Sequence, residues 1–301
     1  MAGDLAAFEL AGIPHELAGF AEIDPAACAV LAQKYPNVPN LGDLTTHQNW
    51  SKYHGKIDII TAGLPCQPHS TAGRRRGCKD PRELTGAFCD IVEQVLPEWL
   101  LIENVPAYKT SKGGAYLHLN RRLRRLGYQV GDRVIDARRW LPQRRERLWI
   151  LCHRGTAGRA PSELLALTES GAWVPQTGGT VWLPNPVRGD GSASVYHPSR
   201  LGTLTATGSG LIKPGMKGAE LDFLVVQDIP GVGLIVRRPT PLEALRAQGF
   251  PDDWLDGIAV AGRPLSRTAC FKLIGNAWPV PVAARILGTI GLTRTGLREA
   301  A

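Results

Sequence analysis

Short apolar segments that alternate with amphipathic ones constrain the fold of this chain more than any other feature of the sequence. Residues 56–63, 98–105 and 145–154 are rich in Val, Ile and Leu, as buried strands are. Between them, residues 83–96 and 115–128 place apolar side chains at helical spacing. Strands that alternate with helices predict an α/β fold, in which a mostly parallel sheet is covered by helices on both faces.

The same patterns predict further elements near the two ends of the first half. Residues 15–24 are expected to form a strand that ends at Glu22, and residues 25–35 a short helix. Residues 129–137 are expected to form another strand, and the chain returns to a helical pattern after Pro281.

A change in composition near residue 155 predicts a second domain. Gly, Pro, Ser and Thr dominate from there to about residue 263, and helical periodicity is weak. The 301 residues are enough for one large domain or two modest ones. We therefore expect a catalytic domain in residues 1–157, to which residues 270–301 return, and a smaller domain in residues 158–269.

Bulk properties narrow the class of protein. No apolar run approaches the ~20 residues of a membrane span, and the first residues lack a secretory signal, which predicts a soluble cytoplasmic protein. The six cysteines form no CxxC pair, which argues against a zinc site and a disulfide framework. The net charge of +8 favours a polyanionic partner.

Polar residues cluster where three predicted strands end. Glu22 and Asp24 follow the first strand, the loop that contains Cys66 follows the second, and Glu103 and Asn104 end the third. In open α/β sheets, ligands bind beyond the carboxyl ends of the strands. The three clusters are therefore expected to share one site.

Cys66 and Glu103 each allow two interpretations from the residues alone. A lone cysteine is more often a small buried residue, but Cys66 has arginines nearby at 74–76, which favour a reactive thiolate. Glu103 is either an ordinary loop carboxylate or, at the end of an apolar strand, a group able to donate a proton.

Two basic patterns also remain open. Gln143, Arg145 and Arg147 alternate along the chain, so a strand would place all three on one side. They form either a plain basic edge strand or a planar set of groups suited to a carboxyl group, a phosphate or a base edge. The run RRLRR at residues 121–125 is interpreted as the solvated face of a helix, with phosphate contact as the alternative.

Five segments together resemble the ordered signatures of one family, the DNA cytosine-5 methyltransferases. In chain order they are GLPCQPHS, IENV, PQRRERL, RRPTPLEALRAQGFPDDW and LIGNAWPVPVAARI, and AEID and GDL match the cofactor-site signatures of that family. The resemblance covers about residues 5–155 and 237–290. It implies a Rossmann-like S-adenosylmethionine-dependent methyltransferase sheet, with the target-recognition domain in the loosely matching segment 156–236.

The resemblance implies covalent chemistry on a cytosine that is flipped out of double-stranded DNA. Cys66 would add to C6, Glu103 would contact and protonate N3, and Arg147 would bind the O2 face. Arg145 would support the cysteine and its loop, and Asn104 would brace that loop; no metal is required. The residues expected against the DNA substrate are Gln67, Ser70, Gln143, Thr203 and Leu204.

The methyl donor implied by the resemblance is S-adenosyl-L-methionine. Glu22 would hold the ribose hydroxyls, and Asp43 would accept from the adenine amino group. Pro65 and Asn276 would line the cofactor pocket. Ile23 stands where many family members carry an aromatic residue against the adenine, so stacking there would be weaker.

The beginning of the chain departs from the family pattern. The family opens with a strand and a Phe-x-Gly-x-Gly loop at the methionine end of the cofactor, whereas this sequence begins MAGDLAAFELAG. Gly3 is the one candidate remnant of that loop. We therefore expect an N-terminally truncated relative whose sheet lacks its first, central strand and exposes the edges beside it.

Three functions follow in order of preference. The first is a DNA (cytosine-5-)-methyltransferase from a bacterial or phage modification system, acting as a monomer and paired functionally with a cognate restriction endonuclease. The second is an RNA cytosine-5 methyltransferase of similar fold. The third is a catalytically inactive DNA-binding relic, which the missing first strand suggests and the retained Cys66, Glu103 and Arg147 oppose.

Overall fold

A four-stranded mixed sheet forms the centre of the molecule in the computed structural model. The structure describes residues 2–46, 49–65, 84–111, 113–155, 158–169, 225–229 and 233–298. The strands of the sheet are β1 (Ile59–Gly63), β2 (Trp99–Asn104), β3 (Tyr128–Asp136) and β4 (Glu146–Arg154). Two short hairpins lie outside it: β5 (Val225–Ile229) with β6 (Gly233–Arg237), and β7 (Ala259–Val260) with β8 (Arg263–Pro264).

Helices flank this sheet on both faces. They are α1 (Gly3–Leu10), α2 (Pro25–Lys34), α3 (Thr85–Val95), α4 (Ala107–Thr110), α5 (Ala115–Arg125), α6 (Pro161–Thr168), α7 (Pro241–Gln248), α8 (Arg267–Asn276) and α9 (Val280–Arg298). Single turns of 3-10 helix occur at Trp50–Tyr53 and Ala137–Arg139. In the part of the chain that the structure describes, no helix combines the length and the apolarity needed to cross a membrane.

The strand order β1-β2-β4-β3 confirms the α/β class but contradicts the expected mostly parallel sheet. Only β1 and β2 pair in parallel, whereas β4 is antiparallel to both of its neighbours. The connection from β3 to β4 is too short for the crossover that parallel neighbours require, so β4 folds back between β2 and β3. The interpretation of residues 143–147 as part of an edge strand is therefore wrong, because β4 is an interior strand.

Alternate residues of β2 and β4 serve two different cores, which explains their continuous apolar sequence. Leu101 and Leu151 belong to the core shared with α1, α8 and α9. On the opposite face, Leu100, Ile102 and Ile150 belong to the core shared with α3 and α5. All five side chains are fully buried, and each contributes about 1.5–3 kcal/mol of apolar transfer free energy.

The strand expected at residues 15–24 is reduced to a single parallel bridge between Phe20 and Asn40. Phe20 donates its backbone N–H to Pro39 O at 2.9 Å, and Leu41 donates to Phe20 O at 2.7 Å. Pro39 has no N–H to donate to Ala18 O, so the pairing cannot extend toward the start of the expected strand.

The first strand of the sheet, among the described residues, is β1, and its only neighbour is β2. Gly3, the candidate remnant of the glycine loop, is the first residue of α1. A Cβ on Gly3 would lie 3.0 Å from the backbone nitrogen of Trp278, so close packing accounts for the glycine. Asp4 accepts a hydrogen bond of 2.5 Å from Thr61 Oγ1 and so ties α1 to β1.

Part of the segment expected in a second domain packs on the main sheet. Helix α6 lies so close to β3 that a Cβ on Gly131 would meet the backbone nitrogen of Ser162 at 2.3 Å. Leu164 and Leu165 are buried in the core that contains α1 and α9. The expected boundary at residue 158 therefore does not coincide with the edge of this core, and the division into two domains stays a prediction.

Candidate active site

Two strand ends meet where the sequence predicted convergence. In the parallel pairing of β1 and β2, Gly63 lies opposite Glu103. The next residue of β2, Asn104, has its Nδ2 atom 3.5 Å from the carbonyl oxygen of Leu64, and its Oδ1 accepts from Val105 N at 2.8 Å. Asn104 therefore contacts the chain at the start of the loop that it was expected to brace.

Glu103 and Arg147 form an ion pair across neighbouring strands. Arg147 Nε lies 2.7 Å from Glu103 Oε1, and the side chains are 13% and 11% exposed, respectively. Arg147 also donates from Nη1 to Glu146 O at 2.8 Å, which fixes the plane of its guanidinium. A nearly buried carboxylate beside a guanidinium presents acceptors and donors together, as the edge of a nucleobase requires.

The alternation of residue types predicted along residues 143–147 corresponds to an alternation of burial in the structure. Gln143 and Arg145 are buried and Arg147 nearly so, whereas Arg144 and Glu146 point outward and pair with each other at 3.3 Å. The period of two expected for this segment therefore holds, although β4 begins only at Glu146.

Arg145 connects this segment to a distant turn. Its Nη2 donates to the carbonyl oxygens of Gly275 at 2.9 Å and Ala277 at 2.7 Å. These two carbonyls flank Asn276, whose own side chain is exposed at the end of α8. A fully buried guanidinium thus holds the turn that presents Asn276, a contact that the sequence did not predict.

Gln143 is a fully buried amide whose side-chain oxygen and nitrogen both lack a hydrogen-bond partner among the residues that the structure describes. Leaving a buried polar group unpaired costs about 1–3 kcal/mol. Such groups are rare in folded proteins, and a site for a polar ligand is one of the explanations for them.

The residues expected at the cofactor lie at the ends of the two segments that the Phe20–Asn40 bridge joins. Glu22 Oε1 accepts from the backbone N–H groups of Ile23 and Asp24, both at 2.8 Å, and Ile23 is 67% exposed. Asp24 instead caps α2 and pairs with Lys272 at 2.5 Å. Burial alone would raise the pKa of Asp24, but Lys272 and the N–H groups of the helix together hold that pKa below its ordinary value.

Asp43 lies in a turn of its own. Its Oδ1 accepts from Thr45 Oγ1 at 2.7 Å and from Thr45 N at 2.8 Å. These hydrogen bonds lower the pKa of Asp43, so the carboxylate is charged at neutral pH. Asn40, which the sequence reasoning did not single out, bonds to both Glu22 and Gly42 and so links the two carboxylate-bearing segments.

Several expected site residues lie at the edge of the described residues or outside them. Pro65 is the last described residue before the loop and is half-buried. The expected site residues that lie outside the described residues are Cys66, Gln67, Ser70, Thr203 and Leu204.

Solved structures of similar architecture identify the class of fold. The structure of the Dnmt2 methyltransferase of S. pombe matches with a TM-score of 0.62 at 20% identity, covering 98% of this chain and 96% of that one. The Entamoeba histolytica methyltransferase EhMeth matches with a TM-score of 0.64 at 15% identity, covering 96% and 94%. The fold is therefore the Rossmann-like fold of S-adenosylmethionine-dependent methyltransferases.

Sequence comparison gives the family. The profile of the C-5 cytosine-specific DNA methylases matches residues 2–168 and 219–292. The Type II methyltransferase M2.BsuMI of Bacillus subtilis (strain 168) is 31% identical over 281 residues, covering 88% of this chain and 67% of that protein. The Type II methyltransferase M.HaeII of Haemophilus aegyptius is 30% identical over 260 residues, covering 77% and 73%. This chain belongs to the C-5 cytosine-specific DNA methylase family.

Proposed function

We propose that this chain transfers a methyl group from S-adenosyl-L-methionine to C5 of a cytosine flipped out of double-stranded DNA, as a Type II modification enzyme does. The observation that carries the proposal is the nearly buried pair of Glu103 and Arg147, at the strand end from which the Cys66 loop departs. Membership of the C-5 cytosine-specific DNA methylase family supports the same reaction.

The pair suits one edge of cytosine. N3 and O2 lie next to each other on the base, so Glu103 would carry the proton at N3 while Arg147 donates to O2. Both groups stand on paired strands, which keeps their separation constant as the base enters. The amide of Gln143 has no partner in the described part of the chain, which supports a polar ligand nearby, and we propose that it contacts the DNA substrate.

The reaction itself follows from the electronics of the base. Addition of the Cys66 thiolate to C6, with a proton on N3, breaks the C5–C6 double bond and makes C5 a nucleophilic enamine carbon. S-adenosylmethionine, when bound, supplies the electrophilic methyl group for C5. A base then removes the C5 proton, and the electrons of that bond re-form the double bond and expel the Cys66 thiolate.

The residues expected at the cofactor fit an adenosine. Glu22 and Asp43 are carboxylates, which accept hydrogen bonds from ribose hydroxyls and from the adenine amino group, respectively. We propose that Pro65 and Asn276 line the same pocket and that Ile23 covers the adenine with less contact than an aromatic residue would make. Arg145 would hold Asn276 in place through the two carbonyls beside it.

Bisulfite sequencing of DNA from a bacterial host that expresses the chain tests this function. We expect methylated cytosines within one short motif, and none in a host that expresses the Cys66→Ala variant, because the variant has no nucleophile for C6. The Cys66→Ala protein should still bind DNA. Methylation by the variant would show that the nucleophile is another residue.

A trapping experiment checks the covalent step separately. DNA with 5-fluorocytosine at the target should accumulate a covalent protein–DNA complex, because fluorine cannot leave C5 as a proton does. An active enzyme that gave no trapped complex would rule out addition at C6. Methylation of RNA in place of DNA, or DNA binding without methylation, would support the RNA-modifying or the inactive DNA-binding alternative.

The cellular setting that we propose is the one usual for such modification enzymes. The enzyme would act as a monomer in the bacterial cytoplasm, bound to the nucleoid through DNA, with a cognate restriction endonuclease as its functional counterpart. The net charge of +8 supports binding to a polyanion, and that binding should weaken steeply as the salt concentration rises.

A further inference from the structure

Asn40 uses its whole side-chain amide to join two segments of the chain. Its Oδ1 accepts from the backbone N–H of Glu22 and from that of Gly42, both at 3.1 Å. Its Nδ2 donates to the carbonyl oxygen of Glu22 at 3.0 Å and to Cys28 Sγ at 3.3 Å. The amide thus bonds to both backbone polar groups of Glu22 at once.

These bonds stand where a further strand pairing would be. The two segments share one parallel bridge, between Phe20 and Asn40, and Gly42, with a φ of +73°, leaves the extended conformation that a bridge to Glu22 would require. In a longer parallel ladder, the N–H and C=O of Glu22 would bond to the backbone of the opposite strand. Here the side chain of Asn40 takes both bonds and holds the segments in register beyond the point where backbone pairing ends.

The segments joined in this way carry the two carboxylates proposed for the adenosine. Glu22 is held directly, and Asp43 follows Gly42, which has a φ of +73° that favours glycine. We propose that Asn40 is a positioning residue that sets the separation of the Glu22 and Asp43 carboxylates for the cofactor. This inference rests on the proposed function, because it assumes that S-adenosylmethionine binds there.

The substitution Asn40→Asp separates this role from simple loss of a side chain. A carboxylate of the same shape can still accept from Glu22 N and Gly42 N, but it cannot donate to Glu22 O and repels it at close range. Because an aspartate of ordinary pKa stays charged at neutral pH, the lost donor is not restored, and the variant should bind S-adenosylmethionine more weakly than the wild type.

Isothermal titration calorimetry with S-adenosylmethionine measures the effect. We expect Kd to rise about tenfold for Asn40→Asp and Asn40→Ala at neutral pH, since donor bonds that each contribute about 0.5–1.5 kcal/mol are lost. In steady-state assays, KM for S-adenosylmethionine should rise, and kcat at saturation should be retained.

Asn37→Asp is the matched control. It makes the same change of charge three residues earlier in the chain, at an exposed side chain that makes no hydrogen bond to the described residues. It should bind S-adenosylmethionine like the wild type, and the affinity of all three variants for duplex DNA should be unchanged.

Two results would each refute a different part of the proposal. Wild-type affinity in both Asn40 variants would refute the positioning role. No binding of S-adenosylmethionine by the wild-type protein would refute the proposed cofactor, and with it the basis of the inference.

Discussion

Replacement of Glu103 by glutamine tests the ion pair at the centre of the proposed site. The pair joins Arg147 Nε and Glu103 Oε1 at 2.7 Å, with side chains only 13% and 11% exposed. At an effective dielectric constant of about 20, the gross attraction of two such charges is about 4 kcal/mol, and desolvation offsets much of it. Glutamine keeps an acceptor for Arg147 but removes the charge, so we expect the free energy of unfolding to fall by about 2 kcal/mol.

The effect on the reaction should be larger than the effect on stability. An amide cannot carry the proton at N3, and the loss of a positioned acid–base group typically lowers a rate by about 10²–10⁴-fold. Urea unfolding measures the first effect, and transfer of a labelled methyl group to DNA under conditions where the variant is folded measures the second.

Glu146, an exposed residue that directly precedes Arg147 on β4, provides the control. Its side chain is 45% exposed and pairs with Arg144 at 3.3 Å, so Glu146→Gln should change the free energy of unfolding by less than about 1 kcal/mol and leave methylation near the wild-type rate. If Glu103→Gln methylated DNA as well as Glu146→Gln does, Glu103 would not contact the reacting base. If the two variants had equal stability, the 2.7 Å pair would contribute nothing measurable.

Two further predictions concern packing and pH. Gly131→Ala should destabilise the protein by about 1–3 kcal/mol in urea unfolding, because the new Cβ would lie 2.3 Å from the backbone nitrogen of Ser162. Gly86→Ala, where nothing lies within 4 Å, should be neutral or stabilising, and equal effects at the two glycines would refute the close approach. The pKa of Asp24 is lowered in the folded protein, so its carboxylate contributes stability that is fully present above the ordinary pKa of an aspartate and is lost as the pH falls through the folded value. Lys272→Met should reduce that acid-dependent loss in unfolding curves measured between about pH 6 and about pH 3, and an unchanged pH dependence would contradict the coupling.

Two arginines that are two residues apart serve the two parts of the proposed site. Arg147 pairs with Glu103 at the proposed base, and Arg145 holds the carbonyls on either side of Asn276. Because Arg145 is fully buried, these hydrogen bonds fix the Asn276 turn against the segment that leads into β4. This arrangement gives the proposed cofactor pocket and the proposed base pocket a common support.

Local sequence determined which segments became strands and helices. The apolar runs at β2 and β4 had to be buried on both faces, and a period of two separated the nearly buried Arg147 from the exposed Glu146. Polar residues at the ends of such runs collect at one edge of the sheet, so the position of Glu103 opposite Gly63, where β1 ends, was predictable.

The tertiary structure alone decided how those segments pair and what their side chains contact. The short link between β3 and β4 made β4 antiparallel, which no periodicity encodes, and the strand expected at residues 15–24 is one bridge, which Pro39 cannot extend toward Ala18. Arg145 bonds to carbonyls more than a hundred residues away in sequence, at Gly275 and Ala277. A sequence pattern specifies the face on which a side chain lies, because that depends on local geometry. It does not specify the partner, because the partner depends on which distant segment folds against that face.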